Sequence, residues 1–129
     1  MATTPSFIGT PNTTGVNVAA ANTNNDGTGS ITTLITGAAS GTRVLEIDAQ
    51  CAATSAAALV NIFLSTDSGA TWKMFDQITV TAATGSTTVK QNRNLATYAN
   101  LILKNATHVL GCTTTVAQST NVFALAGDL

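Results

Sequence analysis

The sequence predicts an all-β protein: a single-domain antiparallel β-sandwich, with the jelly roll as one form of it, preceded by an extended N-terminal arm. Three observations predict it. Apolar and polar residues alternate over several short runs, which is the period of a half-buried strand. Clusters such as Asn25-Asp26-Gly27 and the turn around Gly85 punctuate those runs. No run has the length and caps of a stable helix; Ala52 to Ala58 is a small-residue linker. At 129 residues the chain is one domain, large enough for a two-layer core.

The arm covers residues 1–15 and the sandwich residues 16–129. Pro5 and Pro11 bracket Phe7 and Ile8, which fits an extended strap better than a helix. Val16 and Val18 begin a first strand, Ala21 to Ser30 is a loop, and Ile31 to Thr36 a second strand. In the next strand Leu45, Ile47, Ala49 and Cys51 face inward, while Val44, Glu46, Asp48 and Gln50 face solvent. Leu59 to Thr81 forms a central hairpin, with Val60, Ile62 and Leu64 on one face of its first strand. Trp72, Met74, Ile78 and Val80 share the inward face of its second, interrupted by Asp76 at a bulge. Thr87 to Arg93 reads as a strand with Val89 buried, and Asn94 to Asn100 as irregular. Leu101 to Lys104 and His108 to Val116 pair as a second hairpin, and Asn121 to Asp128 is the last strand. The total is about eight or nine strands, too few for a propeller, whose blades need about 40 residues each.

Composition excludes several function classes. Charged residues are 9% of the chain and the net charge is −1, with no basic stripe, which argues against nucleic acid. No run reaches the ~18–20 apolar residues of a membrane span, and the N-terminus lacks a signal-peptide pattern, so synthesis in a host cytoplasm is expected. Thr is the commonest residue, and a thin-chained, weakly charged surface suits a subunit covered by neighbours.

No catalytic constellation, cofactor fingerprint or metal motif stands out, and no enzyme activity, cofactor or metal is expected. Glu46 and Asp48 lie two apart on one strand face. A solvated face explains them better than acid/base or metal chemistry, because no third ligand can be placed beside them. His108 and Cys112 are four apart on a strand, about 13 Å, too far for a nucleophile pair; Cys51 with His108 stays open. Cys51 and Cys112 read as buried free thiols, with a cross-strand disulfide as the alternative.

The loop Ser65-Thr66-Asp67-Ser68-Gly69-Ala70-Thr71-Trp72 is similar to the Asp-box, S-x-D-x-G-x-T-W, of sialidases and related β-propellers. Ser65, Asp67, Gly69, Thr71 and Trp72 occupy its defining positions. The motif implies a structural turn rather than an active site. Arg43 and Arg93 are the only arginines and cannot supply a three-arginine carboxylate clamp.

A second resemblance spans residues 22–129. Asn24-Asn25-Asp26-Gly27-Thr28-Gly29, the aliphatic central hairpin and the terminal Asn121 to Leu129 strand follow one another as in small structural proteins of tailed bacteriophages. That resemblance implies a virion component on the capsid surface, a head decoration or cement protein bound to the major capsid protein. A homotrimer is the expected oligomer, since capsid lattices offer local three-fold points. Phe7 and Ile8 are the candidate partner-binding residues, and removal of residues 2–14 is expected to leave the sandwich folded. The alternative is a tail-associated structural or glycan-binding module contacting sugar through the Asp67 loop or Tyr98.

Overall fold

The computed structural model describes residues 9–129, so Phe7 and Ile8 lie outside the described residues. The alternating runs become β1 (Thr10–Pro11), β2 (Thr14–Val18), β3 (Thr32–Thr36), β4 (Thr42–Cys51), β5 (Ala58–Ser65), β6 (Lys73–Val80), β7 (Asn94–Leu103), β8 (Val109–Thr114) and β9 (Thr120–Asp128). The first sheet has the order β1-β9-β4-β7, with β2 also on β9; the second has the order β3-β8-β5-β6. Pairing between the named strands is antiparallel throughout.

β1 and β2 meet β9 in one register, Thr10 opposite Asp128 and Thr14 opposite Ala124, so they act as one edge strand interrupted at Asn12-Thr13. An edge strand tolerates the missing N–H of Pro11. Among the described residues strand pairing therefore starts at Thr10, within the segment read as arm. Only the β5–β6 hairpin joins neighbours in one sheet; every later or earlier crossing changes layer. Two four-stranded antiparallel sheets threaded this way form a jelly roll.

The inner faces meet in one apolar core. Val44, Ile47, Ala49 and Cys51 from β4, Leu101 and Leu103 from β7, and Val122, Ala124 and Ala126 from β9 oppose Leu34 and Ile35, Val60 and Ile62, Ile78 and Val80, and Leu110 and Cys112. Most are β-branched or small, which suits closely spaced pleated faces.

Two bulges redirect side chains that strict alternation misplaces. In β4 the register shifts between Val44 and Glu46, so Val44, not Leu45, points into the core and Leu45 is the extra residue. In β6, Ile62 pairs with Asp76 but Phe63 pairs with Met74, so Phe75 is the extra residue. A bulge shifts side-chain parity by one. Ile78 and Val80 face the core as expected, whereas Met74 and Trp72 lie on the outer face of the second sheet. Asp76 turns toward the open edge of the sandwich, where Tyr98 Oη donates to Asp76 Oδ2 at 2.8 Å.

Three other expectations are corrected. Residues 87–93 form no strand, and Val89 is 55% exposed; Ser86 Oγ instead accepts the amides of Thr88 and Val89 in a local turn. Asn94 to Asn100 is not irregular but the first part of β7, which pairs with β4 over Asn94 to Leu103. β7 and β8 are not a hairpin, because β7 joins β4 in the first sheet and β8 joins β3 and β5 in the second. The Asn105-Ala106-Thr107 turn is a corner between layers.

The outer face of the second sheet is covered by the chain's own 21–31 loop. Asn22 N donates to Thr114 O at 2.9 Å, and Asn22 Nδ2 reaches Thr28 O and Ser30 O, closing the loop on itself. Asn61 Nδ2 donates to Asn25 Oδ1 at 3.3 Å, while Gln77 Nε2 donates to Asn61 Oδ1 at 2.9 Å. Beneath this cover Phe63 and Asn61 are fully buried, and Ser65 and Thr113 nearly so. The buried amide has its partners, as a polar group in such a place requires.

Candidate functional site

The Ser65–Trp72 turn holds all five motif residues together. Its start is fixed because Ser65 is buried at the end of β5, where its Oγ donates to Asp67 Oδ1 at 2.7 Å and accepts Gly69 N at 2.8 Å. Asp67 Oδ1 also accepts Thr71 N at 2.9 Å, and Oδ2 accepts Thr71 Oγ1 at 2.5 Å. Ser68 and Gly69 both take positive φ, 62° and 91°. Ser68 N donates to Thr107 O at 2.9 Å, tying the turn to the β7–β8 corner.

Trp72 ends the turn by laying its ring across Gly111 of β8. A Cβ at Gly111 would stand 2.9 Å from the indole and 2.6 Å from Ile31, so only glycine fits between them. The ring is half-buried, neither in the inter-sheet core nor fully open. The five residues build a hairpin turn whose hydrogen-bonding groups are directed at one another.

The Thr71 and Ser65 hydroxyls and the Thr71 amide pull the Asp67 pKa down from 3.8 to about 2. A depressed folded-state pKa contributes stability above the unfolded value, and that stability is lost as pH falls through the folded one. The wild type is therefore expected to lose stability between about pH 4 and pH 2 relative to Asp67→Asn, when both are followed by denaturant unfolding against pH. An identical acid limb in the two proteins would contradict the turn's role. Ser65→Ala, which strands buried turn groups, is expected to cost about 1–3 kcal/mol at neutral pH in the same experiment.

The carboxylate pair is not a simple solvated face. Arg93 Nε donates to Asp48 Oδ2 at 2.7 Å and Nη2 to Glu46 Oε2 at 2.8 Å, with a further Nη2–Asp48 contact. Asp48 is only 8% exposed, and its Oδ1 is buried without a hydrogen-bond partner. The adjacent Asp48 carboxyl pushes the Glu46 pKa up, with desolvation adding to it. Sequence alone misses this cluster, because only β4–β7 pairing, which sets Asp48 opposite Leu95, brings Arg93 near.

Both cysteines are free and buried, and burial pushes the Cys112 thiol up to about 12, far from a reactive thiolate. Cys51 Sγ lies 3.6 Å from Thr120 Oγ1, inside the first sheet. His108 Nδ1 accepts Lys104 N at 3.3 Å and belongs to the β7–β8 corner. Among the described residues no three His, Cys, Asp or Glu side chains group as a metal site would require, and no helix is long and apolar enough to cross a membrane. Tyr98, raised in pKa by burial and then by Asp76, stays protonated and donates across the sheet edge.

These features define a class: a jelly-roll β-sandwich whose one recognisable motif is a structural turn. Comparison with family models, curated proteins and solved structures gives no match.

Proposed function

We propose that this chain is a structural virion protein of a tailed phage, a head decoration or cement subunit that binds the major capsid protein and stabilises the assembled shell. The observation that carries this reading is where the phage-like segments fall. Asn24 to Gly29 lies in the loop that covers the second sheet, and Asn121 to Leu129 supplies β9, flanked by the split edge strand and β4. The resemblance thus rests on segments that build the sandwich. The jelly roll is also an architecture used by capsid subunits, an analogy of fold only. Binding of an assembled lattice by many subunits stabilises the shell by mass action. The subunit acts at the capsid surface as a homotrimer, after synthesis in the host cytoplasm.

Phe7 and Ile8 are the proposed attachment to the shell. Because Thr10 and Pro11 pair with β9, the truncation that tests them removes residues 2–8 rather than 2–14. A deletion to residue 14 would strip β1 and the start of β2 from β9 and confound folding with binding. The 2–8 deletion is expected to keep the far-UV spectrum of the full chain and to lower occupancy on heads lacking the native subunit at least about tenfold, as loss of two buried apolar anchors implies. Equal occupancy would make the segment passive. Failure of both forms to bind heads, with binding to tails or to glycans, would replace this reading with the tail-associated module.

A further inference from the structure

The two outer faces of the sandwich differ. The second sheet is covered by the 21–31 loop, whereas the first sheet has no such cover among the described residues. Pairing registers align Phe123, Asp48 and Leu95 in one row across it, Leu125, Glu46 and Thr97 in the next, and Gly127, Arg43 and Ile102 in a third. Phe123, Leu95 and Ile102 are 44%, 45% and 50% exposed. Between them sit the Arg93–Glu46–Asp48 cluster and the unpartnered Asp48 Oδ1. A buried acceptor on a face of mixed apolar and charged residues is one that a donor from outside would complete.

We infer that this face is where copies of the chain meet, the occupant of each face being a second copy. Two arguments select that occupant. The charges of the face, Arg43 and Arg93 against Glu46 and Asp48, cancel, so two such faces meet without net repulsion. The plan area of four strands about 4.8 Å apart and about 30 Å long is on the order of 600 Å². Side-chain relief brings that close to the roughly 800 Å² per partner of a stable interface.

This surface goes beyond the decoration reading, since a face that meets its own copy makes a two-fold pair rather than the three-fold contact of the trimer, and it is tested without phage heads. Full-length protein is sedimented over a wide concentration range beside Ile102→Lys and Leu95→Lys, with Thr79→Lys as a control at an exposed position of β6 in the second sheet. The expected result is a wild-type oligomer, a control that matches it, and face variants weakened about 100-fold or more with unchanged far-UV spectra. A monomeric wild type at the highest concentration, or face variants that associate like wild type, overturns the inference. If the lysine variants fail to fold, hydroxyl-radical labelling of the wild type decides. Protection of Leu95, Ile102 and Phe123 that grows with concentration supports the interface, and its absence overturns it. Monomeric wild type whose head binding is lost in Ile102→Lys would assign the face to the capsid, overturning self-association while keeping the decoration reading.

Discussion

Phe63→Ala is expected to lower the unfolding free energy by about 3–5 kcal/mol, the range for truncating a buried aromatic ring. For a domain of this size that corresponds to a melting temperature lower by roughly 10–20 °C. Phe63 points away from the inter-sheet core, opposite Gly111 and Met74, yet is fully buried. Its burial depends on the 21–31 loop and on Trp72 lying over the same face. The substitution therefore tests whether that cover is part of the folded unit or a loosely attached flap. Urea unfolding of Phe63→Ala and Phe63→Leu checks it, with the leucine variant recovering most of the loss. A cost below about 1 kcal/mol for the alanine variant would mean that the ring is solvated in the native protein.

Gly27→Ala is expected to be comparably damaging despite adding a single methyl group. Gly27 has φ +86°, and a Cβ there would stand 2.1 Å from the backbone oxygen of Trp72. The left-handed conformation alone costs an L-residue about 1–2 kcal/mol. The clash is with main chain and cannot be relieved by a rotamer change, so the loop must lift, exposing the surface that buries Phe63. A total of about 3 kcal/mol or more follows. Gly69→Ala is the control: its φ is similar, +91°, but its Cβ would meet only the Trp72 ring at 3.4 Å. It should cost about 1–2 kcal/mol. Trp72 is the only tryptophan, so its emission reports the difference directly. A red shift is expected in Gly27→Ala and little change in Gly69→Ala. Equal effects of the two substitutions would show that backbone conformation, not loop docking, sets the cost.

These two substitutions act through parts of the molecule that differ in how far sequence reveals them. The Ser65–Trp72 turn was legible because the hydrogen bonds among its motif residues span at most four positions, so residue types at fixed spacing determine it. The β5–β6 hairpin was legible for the same reason, being the one connection between neighbours in a sheet. The covering role of the 21–31 loop was not. Asn25-Asp26-Gly27 announces a turn, but nothing local shows that Asn25 will reach Asn61, 36 residues later.

By itself, the sequence determined the all-β class, most strand positions, the Asp67 turn and the inward rows that alternation leaves unbroken, because each depends on neighbours along the chain. Tertiary structure alone decided the rest. The extra residues Leu45 and Phe75 shift side-chain parity only once partner strands set the register, which is why Val44 enters the core and Trp72 leaves it. Allocation of β7 and β8 to different sheets depends on pairings with β4 and β5 that local turn chemistry does not encode. Arg93 meets Glu46 and Asp48 for the same reason: residues more than forty positions apart become neighbours only when β7 is laid against β4.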